Sequence, residues 1–193
     1  MSLSRGKRER TRVTVSDYHN PVMTEEVIDN LRVLKQGVYV DCTLGGGGHF
    51  SRIISLLNED GIAVGLDRDL DSIELVRKKT WGTGPRVIVE RSRFSDMGMT
   101  LERLGIDKID GLLLDLGVSS WQIDEAERGF TYRQDCVLDM RMDREQEFTA
   151  ADLINSSDTS ELASILSEYG EVRNPVRMAE AIKTGEGDIR RVK

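Results

Sequence analysis

Three acids, a histidine and a run of glycines form the pattern in this chain that could do chemistry. In "DCTLGGGGH", Asp41 precedes four successive glycines that end at Gly48, and His49 follows them. Asp67 closes "GIAVGLD", and Asp115 closes "GLLLD". A glycine-rich loop between a strand and a helix lets backbone N–H groups approach a ligand at the helix N-terminus. Two ligand classes fit it badly. A P-loop needs Lys and then Ser or Thr after its glycines, whereas His49 and Phe50 follow Gly48. A dinucleotide loop needs Gly or Ala at its last position, and counting from Gly45 and Gly47 reaches Phe50.

What is left is a loop opened by Asp41, with Asp67 placed where an acid accepts hydrogen bonds from both ribose hydroxyls. S-adenosylmethionine suits this pair of acids, because it carries an ammonium and a sulfonium but no phosphate. The alternative is that Asp41 and Asp67 only cap helices.

These residues need elements to position them. "GVYVDC", "GIAVGLD", "RVIVE" and "IDGLLLDLG" read as strands. Phe50, Ile53, Ile54 and Leu57 follow the helical spacing of one apolar face. Further helices are expected behind Thr24 as an N-cap, with Val27, Ile28, Leu31 and Leu34 inward, and over 70–79 and about 99–104. Continuous apolar strands alternating with helices imply an α/β fold with a parallel sheet covered on both faces. Ligands then bind at the C-terminal strand ends, where Asp41, Asp67 and Asp115 stand. Beyond about residue 121 the pattern turns polar. Two helices are expected there, one with Leu162, Ile165, Leu166 and Tyr169 on a face stopped by Gly170, the other following Pro175. "GEGDIRRVK" offers nothing to pack.

Composition narrows the class. With 38% hydrophobic and 32% charged residues, the chain reads as a soluble globular protein. It has no apolar run long enough to span a membrane, and no secretory signal. Its two cysteines, Cys42 and Cys136, lack metal or disulfide spacing, so no metal is expected and the location is read as cytoplasmic. A net charge of −7 argues against non-specific coating of nucleic acid. A basic arm over residues 1–17, with Arg5, Lys7, Arg8, Arg10 and Arg12, could touch phosphates or be a solvated terminus.

Longer runs then match a known pattern in order: "HNPVMTEE", "DCTLGGGGH", "GLDRD", "RFSD", "LLLDLGVSSWQID", "ERGF" and "LDMRMD". Over residues 18–182 the chain resembles the MraW-type S-adenosylmethionine-dependent methyltransferases, which modify the N4 amine of a cytidine in small-subunit ribosomal RNA. The resemblance implies a Rossmann-like class I methyltransferase sheet, of which only the N-terminal strands are present, followed by part of an inserted helical domain. It divides the chain into the arm 1–17, a cofactor-binding domain 18–120 and a connecting and helical segment 121–193. It assigns cofactor contacts to Gly47, Gly48, His49, Asp67, Phe94, Asp115 and Gln122. His49 could instead only start a helix facing solvent, and His19 could line the pocket or cap a helix. Asp115 is the candidate catalytic residue, accepting a hydrogen bond from the target amine with the 116–120 turn shaping the base site; contact with the cofactor alone is the alternative. The partner is ribosomal RNA or the ribosomal subunit. Arg128, Arg133, Arg141 and Arg144 could meet its phosphates, or pair with the acids interspersed among them.

The sequence also departs from the family. Members continue well past the point where this chain stops, and Cys136 and Val137 replace Gly-Pro before "LDMRMD". With four strands in the usual order, "LLLDL" lies at a sheet edge, and an unpaired apolar edge invites pairing. A shortened chain, a degraded piece or a homodimer covering that edge is therefore expected. A module that binds cofactor without catalysis, and less favoured an NAD-dependent oxidoreductase, are the competing functions.

Overall fold

The computed structural model describes residues 21–185 and 189–192; the basic arm and His19 lie outside them. Four parallel strands form the sheet: β1 (Val38–Asp41), β2 (Ile62–Asp67), β3 (Arg86–Arg91) and β4 (Gly111–Leu113), in the order β3-β2-β1-β4. This is a Rossmann-like α/β sheet. The expected edge position of β4 is observed, although the strand is only three residues long. Leu113 turns into the core while Leu112 and Leu114 are exposed.

Helices cover both faces. On one, α2 (Gly48–Leu56) and α3 (Leu70–Arg77) bury Phe50, Ile53, Ile73 and Val76 against Tyr39 and Ala63. Helix α1 (Thr24–Leu31) adds Ile28, Val27 and Leu31 to this cluster. On the other face, α4 (Met97–Arg103) brings Leu101 to Val40, Val64 and Leu66. Alternate residues of β1 and β2 therefore point into two separate cores, as a strand buried on both faces requires.

Two local expectations at α1 differ from the structure. Met23 is the N-cap residue, and Thr24 is the first helical residue; its hydroxyl donates back to the Pro21 carbonyl at 2.9 Å. Leu34 falls past the helix and is exposed.

After β4 come α5 (Ser120–Asp124), β5 (Cys136–Val137), α6 (Ala150–Ser156), α7 (Thr159–Glu168), α8 (Pro175–Lys183) and β6 (Arg191–Val192). Ser119 and Gln122 form a reciprocal capping box at α5, and Thr149 and Asp152 form one at α6. Helices α7 and α8 pack through Leu162, Ala163 and Ala179. Tyr169 is exposed rather than inward, and the left-handed residue after α7 is Glu171, not Gly170. Pro175 occupies the first turn of α8, where its missing N–H costs nothing. The C-terminal segment does find a partner. Residues 191 and 192 pair antiparallel with Cys136 and Val137, and the Asn155 side chain holds both the N–H and the carbonyl of Ile189.

Candidate functional site

The loop after β1 is built by backbone bonds to neighbouring strands. Cys42 N–H donates to Leu113 O at 3.0 Å, and Leu44 N–H donates to Leu66 O at 3.0 Å. Leu44 O then accepts from Gly47 N–H at 2.7 Å. Gly47 caps α2 with φ 73°, a left-handed conformation that suits glycine, and a Cβ there would sit 3.0 Å from Val76 Cγ2. Lys79 Nζ donates to Gly46 O at 2.7 Å, tying the loop to the segment after α3. The first helical residue, Gly48, lies against the Pro21 ring.

This loop borders a cavity of about 500 Å³, within the usual range of small-molecule sites. Asp41, Asp67 and Asp115 all line it, together with Gly48, His49 and Phe94. Gln122 lines it too, whereas Gly47 turns away from it toward α3.

The acids differ in environment. Asp41 is 1% exposed, and its Oδ1 accepts from Thr43 N–H at 3.0 Å. Burial pushes its carboxyl up to about 7; the Thr43 N–H opposes that shift, while the charges of Asp67 and Asp115 add to it. Asp67 is also raised by burial, against the N–H groups of Asp69 and Gly45 that donate to it at 2.9 and 2.8 Å. Asp67 thus holds the glycine loop with the same carboxylate that lines the cavity. Asp115 is open, with its side chain 56% exposed. Its N–H donates to Thr43 Oγ1 at 2.7 Å, and its Oδ2 lies 3.7 Å from His49 Nε2.

His49 is not the solvent-facing residue that its type alone would allow. It is buried, and its Nδ1 has no hydrogen-bond partner among the described residues. Such a group calls for a ligand or a water. Phe94 starts a 3-10 turn and presents a half-exposed ring at the cavity rim. Gln122 is buried; its Oε1 accepts from Ser119 N–H at 2.9 Å, and its Nε2 donates to Asp69 Oδ2 at 2.7 Å. Its amide therefore braces the wall of the cavity.

The arginine cluster resolves largely into ion pairs. The Arg128 side chain is fully buried, 2.8 Å from Asp69 and 3.2 Å from Asp71, and donates to the carbonyls of Arg141 and Met142. It also lies over the Trp121 ring at 5.2 Å. Arg141 pairs with Asp139 at 2.7 Å, and Asp143 pairs with Arg91 at 2.6 Å. Arg133 lies 3.8 Å from Asp124 on the surface.

Sequence reasoning passed over three residues at or beside the site. Thr43 bridges β1 to the segment after β4, and its place two residues after Asp41 is the spacing of an Asx turn. Asp69 is the N-cap of α3, a role readable from its position before Leu70. Lys79 gave no local signal. Among the described residues there is no cluster of metal-ligating side chains, both cysteines are free, and no helix is long and apolar enough to cross a membrane.

Comparison with known proteins adds a family to this geometry. A ribosomal RNA small subunit methyltransferase H of Lachnospira eligens is 46% identical over 85% of this chain and 52% of its own length. Proteins of the same name from Fusobacterium nucleatum and Heliobacterium modesticaldum are 40% and 46% identical, each over 86% of this chain and 53% of their own. The chain thus spans about half the length of the curated relatives it matches. The family model covers residues 16–192, and the chain belongs to the MraW methylase family.

Proposed function

We propose that this chain binds S-adenosylmethionine and serves methylation of small-subunit ribosomal RNA at the N4 amine of a cytidine. The observation that carries this reading is the convergence of Asp41, Asp67 and Asp115 on one cavity beside a glycine loop. Three carboxylates favour a ligand with positive charge over a phosphate, and the relatives bear the name of ribosomal RNA methyltransferases. The residues present fit the cofactor. Asp67 would take the ribose hydroxyls, Phe94 would face the adenosine part, and the buried Nδ1 of His49 would gain a partner. Gly47 and Gly48 shape the loop, and Gln122 holds the cavity wall.

When bound, S-adenosylmethionine supplies a methyl group activated by its sulfonium. The chain's own task is to hold the target amine in line with it and to improve a poor nucleophile. The lone pair of a cytosine amine is delocalised into the ring. Asp115, open at the cavity and anchored through its N–H, accepts a hydrogen bond from that amine and localises the pair. Positioning of this kind supplies much of the rate in such transfers. A target base must leave its stack to reach the site. In this reading residues 18–120 form the cofactor-binding unit and residues 121–193 a connecting and helical segment.

A narrower reading is cofactor binding without transfer. Calorimetric titration with S-adenosylmethionine, followed by methyl transfer to small-subunit RNA and analysis of its nucleosides, separates the two. Binding with N4-methylcytidine formed supports the first reading, and binding without transfer supports the second. No binding overturns both. Phe94→Ala should weaken binding while leaving stability within about 0.5 kcal/mol, since the ring is half-exposed.

A further inference from the structure

The loop after β1 and the turn after β4 meet at a single side chain. Thr43 Oγ1 accepts the Asp115 N–H at 2.7 Å and lies 3.4 Å from Asp41 Oδ1, to which it donates. Thr43 N–H donates to the same Asp41 oxygen. No other side-chain hydrogen bond to the Asp115 backbone is found among the described residues. Resting on the reading of Asp115 as the target-side acceptor, we infer that Thr43 is a positioning residue. Its hydroxyl couples the carboxyl of Asp41 to the backbone of Asp115, and so sets where Asp115 and the 116–120 turn stand relative to the glycine loop.

The chemistry of a hydroxyl makes this coupling directional. One O–H donates while two lone pairs accept. An ionised Asp41 draws the hydroxyl proton to itself, and donation in one direction strengthens acceptance in the other. The Asp115 N–H then meets a hydroxyl with its lone pairs free to accept. A protonated Asp41 makes no such demand, so the hydroxyl is free to rotate and the grip on Asp115 loosens. Asp41 is buried and its carboxyl is raised to about 7, so its charge changes in the neutral range. Asp67, Arg68, Asp115, His49 and Lys79 share the cavity with it, and Cys42 adjoins it on its own strand. Of these, Asp67 and Asp115 act on Asp41 by charge, in the direction that keeps it protonated. A cationic ligand would reverse that balance. Cofactor occupancy on one side of the loop and placement of Asp115 on the other are therefore linked through Thr43.

The test needs no catalysis. In the isotope-labelled chain, the Asp115 amide and the Asp41 Cγ are followed together by NMR from pH 5 to 9. The Asp115 amide should move with the Asp41 midpoint, and do so in Thr43→Ser as well. In Thr43→Val, which keeps the shape and loses the hydroxyl, it should no longer move at the Asp41 midpoint. An Asp115 amide that does not follow Asp41 in the wild-type chain overturns the inference. So does one that still follows it in Thr43→Val. If Thr43→Val does not fold, the wild-type chain and Thr43→Ser decide. Where the chain transfers methyl groups, Thr43→Val should lower kcat by about tenfold or more with KM for S-adenosylmethionine within about twofold, and Thr43→Ser should restore it. Absence of transfer by the wild-type chain counts against the proposed function and leaves the NMR result to stand alone.

Discussion

Replacing Asp41 by asparagine should make the protein more stable at neutral and alkaline pH. The carboxyl has a pKa of 3.8 when exposed and about 7 in the folded chain, because burial penalises its charge. The folded state therefore keeps this proton to higher pH than the unfolded state does. The stabilisation linked to it is fully present below pH 3.8 and is lost as pH rises through about 7. A shift of this size is worth about 4 kcal/mol, at 1.36 kcal/mol per pH unit. An asparagine in its place would have no proton to lose, and its side-chain oxygen could still accept the Thr43 N–H. Asp67 is raised in the same direction and is coupled by charge to Asp41, so the difference between the two proteins reports Asp41 together with that coupling.

Urea unfolding followed by circular dichroism between pH 4 and 9 measures this. Unfolding free energies come from linear extrapolation. The stability of Asp41→Asn minus that of wild type should rise by about 4 kcal/mol from pH 4 to pH 8, with the midpoint of the rise between the two pKa values. Binding of S-adenosylmethionine should weaken in the same variant, because the cavity loses a negative charge that favours a cation. Parallel stability profiles, differing by less than about 1 kcal/mol over the range, would refute the reasoning. Asp41 would then be an ordinary solvated acid, and the cavity would hold no strained charge to set against ligand binding.

Arg128→Ala should cost about 3–5 kcal/mol, because it strands the buried Asp69 carboxylate and two backbone carbonyls that Arg128 now satisfies. In a double-mutant cycle with Asp69→Ala, measured by the same urea unfolding, the combined loss should fall well short of the sum. Gly129→Ala should cost at least about 2 kcal/mol and lower the thermal midpoint, since residue 129 has φ 76° and a Cβ there would lie 2.5 Å from Asp139 N and Val137 O. Both contacts are to backbone, so no side chain can swing aside to relieve them.

The difference between what the sequence disclosed and what it hid follows the range of the forces involved. Strands β1 and β2 with α2 between them were legible because each carries its own apolar period and because Gly47 and Gly48 punctuate the loop. The three acids were legible for a related reason: a parallel sheet puts every strand's C-terminus on one edge, so acids that end β1 and β2 must meet one that stands two residues past β4. Misreadings arose where a side chain had two local choices. The Thr24 hydroxyl turns back to the Pro21 carbonyl instead of capping the helix ahead of it. Tyr169 is the C-cap of α7, one residue past its last helical turn, and so lies beyond the contact that Leu162 and Ala163 make with Ala179. The pairing of residues 191–192 with Cys136 and Val137 could not be seen, because two residues carry no period and their partner lies more than fifty positions away. The same limit applied to Arg128. A cation among acids reads equally well as a phosphate contact or an ion pair, and only the approach of α3 decides, by bringing Asp69 and Asp71 to the guanidinium and sealing it from water. Thr43 is the sharpest case. As a residue in a loop it had no distinguishing feature, and its significance comes from β4 lying beside β1, which places the Asp115 N–H within 2.7 Å of its hydroxyl. The acids of the site were set by strand ends and could be read. The hydrogen bonds that aim them were set by strand order, which needed the fold.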